Sequence, residues 1–118
     1  MAKKMWNPTF APSYTPIHQV NANLAKRYLE VLLNNKSQRD EPECTGVDHL
    51  IGMCRWIITH PDVFIDKQSR WIGFIQGVMA MRGFVSVQEE RCLTRPMFHK
   101  AYIEMDMVVP VSVGVIND

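Results

Sequence analysis

The stretch WIGFIQGVMAM, from Trp71 to Met81, carries no charge in eleven residues, and nothing else in the chain narrows the fold as far. Asp66 ahead of it is a good helix cap and Gly83 behind it a good helix stop, so it reads as the heart of a helix running to Arg82. At about 100° per residue its large side chains cover one arc, while Ser69, Gly73, Gln76, Gly77 and Ala80 cover another. A helix without a charged face is expected to be buried on nearly every side. This one is therefore expected at the centre of the fold.

Amphipathic helices are available to surround it. Ile17, Val20, Leu24, Tyr28 and Val31 recur at steps of three and four, which predicts a helix over 17–33. The next segment, Asn34 to Gly46, has no apolar residue before Cys44 and holds Pro42 and Gly46, as a solvated loop does. Thr45 and Asp48 make a variant capping box for a second helix. Its apolar face is Val47, Leu50, Ile51, Cys54, Ile57 and Ile58, and it ends before Pro61. Ser86 and Glu89 form a full capping box for a short fourth helix, and Pro96 ends that helix or opens a fifth, RPMFHKAYIEM. The expected fold is all-α, a bundle of four to five helices.

Both ends read as extended. In WNPTFAPSYTP, Trp6, Phe10 and Tyr14 alternate with Pro8, Pro12 and Pro16, so every ring stands at an even position. An extended chain puts them all on one side. Three rings on one face of a proline-stiffened arm suit docking onto a neighbouring copy, and the expected state is a homo-oligomer. At the other end, VVPVSVGVI is β-branched and broken by Pro110 and Gly114, as in an edge strand or a second arm. The expected organisation is an arm over 1–16, a helical domain over 17–107 and a tail over 108–118.

A chain of 118 residues with 47% apolar and 21% charged residues has the make-up of one globular domain. Its net charge of +1 argues against strong general affinity for nucleic acid or acidic membranes. Cys44, Cys54 and Cys92 are an odd set without framework spacing, which suits free thiols in a reducing cytosol. The first residues supply lysines and then prolines in place of an apolar run. With no apolar stretch of about 20 residues, a cytoplasmic protein off the membrane is expected.

Chemistry has few candidates. Gly73 and Gly77 lower the stability of their helix by about 2 kcal/mol relative to alanine. They imply either a close helix crossing or a pocket in which a flat ligand lies on bare backbone beside the Gln76 amide. Arg55, Arg70, Arg82, Arg91 and Arg95 share a segment with Trp56 and Trp71. Converging, guanidinium forks and indole faces make a nucleotide site; dispersed, they cover apolar surface and pair with Asp62, Asp66, Glu89 and Glu90. Cys44, His49, Cys54 and His60 have no zinc-site spacing, so no metal or other cofactor is expected. There is no G-x-S-x-G, no P-loop and no dinucleotide fingerprint, and no catalytic residue is nominated. The methionines read as core filler or as an adaptable binding face.

The segments GVDHLIGMC (46–54) and RWIGFIQGVMAMRGFVSVQEERCLTRPMF (70–98), within roughly Thr45 to His99, resemble a family of small proteins of tailed bacteriophages and prophages. The shared pattern is R-W-x-G-F-x-Q-G-V followed by V-x-x-E-R-x-x-T-R-P. It implies a phage accessory protein. A looser likeness, in the Arg-Trp and Gln-Gly elements, is to phage sponges that sequester cyclic nucleotide immune signals. The expected function is non-catalytic capture or inhibition of a host factor in counter-defence, with a nucleotide sponge and a small hydrolase or nuclease as alternatives; the expected partner is a host protein or a small nucleotide. The expected ligand contacts are Arg55, Arg70, Trp71, Gly73, Gln76, Gly77, Arg82, Arg91 and Arg95.

Overall fold

The computed structural model describes residues 14–36 and 41–109. They form an all-α fold of four helices: α1 (Pro16–Leu33), α2 (Val47–Thr59), α3 (Ile65–Met81) and α4 (Val87–Glu104). The hub is α1, which packs against each of the other three, most extensively against α2. Its stripe Leu24, Tyr28 and Leu32 shares one buried cluster with Leu50, Cys54 and Ile57 of α2. Burial of each large apolar side chain contributes about 1.5 to 3 kcal/mol.

Despite its uncharged stretch Trp71–Met81, α3 is not the centre. It buries one narrow stripe, Gln68, Ile72, Ile75 and Met79. On its other side Phe74 is 42% and Met81 88% exposed. Gly73, Gly77 and Ala80 also lie off that stripe, and such small side chains offer little apolar area to drive burial. Absence of charge made a second contact permissible without making it favourable.

Local signals explain most of the helix ends. Thr15 caps α1, and His18 Nδ1 accepts the Thr15 backbone N–H at 2.9 Å, closing a capping box with histidine where glutamate is usual. Thr45 does not cap α2. Gly46 stands there instead, because a Cβ at that position would meet the Pro42 carbonyl oxygen at 2.8 Å. The first helical N–H, that of Val47, is taken by Glu41 Oε1 at 2.7 Å. Likewise Asp66 lies in the first turn of α3, and the cap residue is Phe64 in left-handed geometry, with φ of 47°. Gly83, with φ of 76°, ends α3 as expected. The Phe84 N–H reaches Met79 O at 2.8 Å and the Gly83 N–H reaches Ala80 O at 3.1 Å, a Schellman closure.

The expected fourth and fifth helices are one continuous α4 with Pro96 inside it. Proline removes the N–H that would reach the Cys92 carbonyl, but Pro96 and Cys92 are both exposed, so water can serve that carbonyl. Trp6, Phe10 and most of the expected arm lie outside the described residues, as does the tail beyond Val109. Tyr14, at the arm's base, is exposed, stacks on His18 and donates its hydroxyl to Gln19 Oε1.

His18 gives the fold a pH dependence. Burial lowers its pKa from the ordinary 6.5, partly countered by Asp62. The unfolded chain thus takes up this proton at higher pH than the folded one, and stability present above 6.5 is lost as pH falls through the folded value. Thermal melts should show Tm falling from about pH 7 to about pH 5, with a shallower fall for His18→Gln. Identical slopes for the two proteins would contradict this assignment.

Candidate ligand-binding site

Two matched stripes face each other across α3 and α4. Gly73, Gln76, Gly77 and Ala80 on one, and Val87, Glu90, Arg91 and Thr94 on the other, each follow the i, i+3, i+4, i+7 spacing of a single helix face. Between them runs an open groove of about 280 Å³. An added Cβ on Gly73 or Gly77 would meet nothing within 4 Å, so neither glycine serves a close helix crossing among the described residues.

The floor of the groove is a chain of paired polar groups. Gln76 Nε2 donates to the Tyr28 hydroxyl at 2.8 Å, and that hydroxyl donates to Glu90 Oε1 at 2.7 Å. Arg27 holds the other oxygen, Glu90 Oε2, at 2.5 Å. Burial, and then the hydrogen bond to Glu90, raise the Tyr28 pKa, so the phenol stays protonated and keeps donating. This fixes the Gln76 amide at the base of the groove.

At Gly73 and Gln76 the groove opens into a second hollow of about 420 Å³, toward the start of α1. Asn21 and Ser69 contribute polar groups there, and Phe98 and Tyr102 contribute rings from α4. Gly73 and Gly77 also border a broad apolar depression of about 500 Å³, formed with Phe74, Val78 and Met81 and with Thr45 and Arg82.

Of the residues nominated from sequence, the structure brings Gly73, Gln76, Gly77 and Arg91 to one groove. The remaining arginines are spread. Arg70 pairs with Asp66 at 3.6 Å and, with Trp71 and Phe74, lines a separate hollow shared with His49 and Met53. Arg82 binds Glu41 at 2.5 Å and the Thr45 carbonyl at 3.4 Å, strapping the loop before α2. That ion pair, with the Val47 N–H, holds the Glu41 carboxyl below its ordinary range. Arg55 is exposed on α2 and Arg95 half-buried on α4, and neither lines the groove. Trp71 packs at 5.2 Å on Trp56, with the Lys67 ammonium over both rings.

Among the described residues no three His, Cys, Asp or Glu side chains are grouped to hold a metal ion. Cys44 and Cys92 are exposed, whereas burial pushes the Cys54 thiol up to about 12. None of the described helices is long and apolar enough to cross a membrane.

No protein-family model, characterised protein or solved structure matches the chain.

Tyr28, Glu90 and Asn21 belong to the site and were not singled out from sequence. Asn21 had a signal, since it interrupts the apolar stripe Ile17, Leu24, Tyr28 at the position four residues after Ile17. Glu90 had none, because its buried partners come from another helix.

Replacing Tyr28 with phenylalanine strands both Gln76 Nε2 and Glu90 Oε1. Tyr28→Phe should lower unfolding stability by about 1 to 3 kcal/mol in urea titrations. An unchanged midpoint would show that the network contributes nothing net.

Proposed function

We propose that this is a non-catalytic binding protein that acts by stoichiometric capture of a host factor. The observation that carries this reading is the bareness of α3. Gly73 and Gly77 sit mid-helix with open space around them. They lower helix stability by about 2 kcal/mol in total, and no contact within the described chain accounts for it. Backbone left uncovered at that cost suits an occupant from outside the chain. The motif resemblance of α3 and α4 makes a phage-encoded, cytoplasmic inhibitor in counter-defence the biological form of the reading. Self-assembly into a homo-oligomer belongs to it as well, with the exposed Phe74 and Met81 as the surface that a second copy would cover.

A small nucleotide as the captured factor is the second reading. Supporting it, Gly73, Gln76, Gly77 and Arg91 line one groove, which combines bare backbone, an amide and a guanidinium.

Protein isolated from infected or expressing cells and then denatured should release an unmodified ligand, detected by mass spectrometry, or hold a host protein in fixed ratio. Gly73→Ala with Gly77→Ala should raise stability by about 1 to 2 kcal/mol and abolish that capture. A double variant that captures as well as the wild type would end the proposal, and turnover of the released compound would favour a hydrolase or nuclease.

A further inference from the structure

The hollow where α1, α3 and α4 meet holds an unanswered hydrogen-bonding atom. Asn21 is 0% exposed. Its Nδ2 donates to Ser69 Oγ at 3.2 Å, while its Oδ1 is buried without a partner. A buried amide oxygen left unpaired is costly, so native proteins nearly always supply a partner. Gln68 Oε1 also lacks a partner, but Gln68 lines none of the hollows described above, and its Nε2 is tied to His60 O at 2.8 Å. Asn21 differs because it is among the residues that border a hollow of about 420 Å³.

The walls indicate the ligand's shape. Phe98 and Tyr102 stand on α4 with ring centroids 6.4 Å apart. Across from them is Gly73, where an added Cβ would meet nothing within 4 Å. Ile17 and Ile72 close the hollow with apolar surface. Aromatic side chains on one wall and bare helix on the other favour a flat ring system, and a mostly apolar lining with a few placed polar groups is the usual make-up of a small-ligand site. The unpaired Oδ1 is an acceptor, so the ring must present an N–H at its edge. Amide side chains pair in this manner with the amino edge of adenine.

We propose that this hollow binds a planar heteroaromatic ring of the nucleobase class, with its exocyclic amine donating to Asn21 Oδ1 and its faces held between the α4 aromatics and the bare backbone at Gly73. The inference rests on the small-ligand reading of the groove, with which the hollow is continuous through Gly73 and Gln76.

The test uses the full chain, isotope-labelled and titrated by NMR with adenine and with purine, which has the same rings without the amine. Adenine should bind about three- to tenfold more tightly, the value of one hydrogen bond. Asn21→Leu, which replaces the unpaired amide with an apolar side chain of similar size, should bind both compounds equally and melt no lower than the wild type. Gly73→Val, which fills the hollow, should bind neither. Equal binding of adenine and purine by the wild type would overturn the role of Asn21 and leave the groove as a ring site. A preference surviving in Asn21→Leu would overturn it too. Binding of neither compound would sink both the inference and the nucleotide reading, and would leave a bridging water as the partner of Oδ1.

Discussion

The carboxylate of Glu90 lies between the Tyr28 hydroxyl and the Arg27 guanidinium, and the attachment of α4 turns on that contact. Among the described residues α4 gives the apolar core one fully buried side chain, Ala101, supported by the half-buried Met97 and Phe98. So small an apolar seam does not by itself fix the helix in one register. Glu90 supplies the missing specificity, because a buried carboxylate tolerates few positions and here has donors on both oxygens. Tyr28 extends the tie to Gln76, so one hydroxyl links α1, α3 and α4. The groove is thus braced by its own floor, where one network ties both α3 and α4 to α1.

How much of this was legible in the sequence depends on the distance over which each signal acts. The periodicity of Ile17, Leu24 and Tyr28, the stop at Pro61 and the Schellman glycine Gly83 are local, and the helices they specify are present. The Thr45 and Asp66 caps failed because stronger claims came from elsewhere: Glu41 reaches across the loop to Val47, and the chain turns through Phe64 before α3 begins. Pro96 misled for a related reason. Its effect depends on whether the unserved carbonyl faces water, which is a matter of packing. The site was partly readable, in the glycines and Gln76, since both break a local preference. The spread of the arginines was not, because convergence is decided by which helices become neighbours.

The two sides of α3 divide its work. The inner stripe of Ile72, Ile75 and Met79 is ordinary core. The outer surface departs from what helix stability alone would select, with glycines where alanines would serve and large apolar side chains left in solvent. Departures of this kind from local consistency are commonly found where a surface is shaped by something other than folding. On α3 they border the groove and the apolar depression alike.

The junction of α2 and α3 also has an optical consequence. Trp56 and Trp71 lie 5.2 Å apart at an angle of 50°, with His60 stacked on Trp56 at 4.4 Å and Lys67 above both indoles. Two indoles this close and skewed couple their transitions, giving the folded chain a chiral absorption signature that an isolated tryptophan lacks. The pair spans the α2–α3 seam, and Trp71 also borders the hollow beside Arg70 and Phe74. The protein therefore carries a built-in chromophore at the point where α3's outer surface begins, sensitive to anything that seats there or shifts α3 against α2.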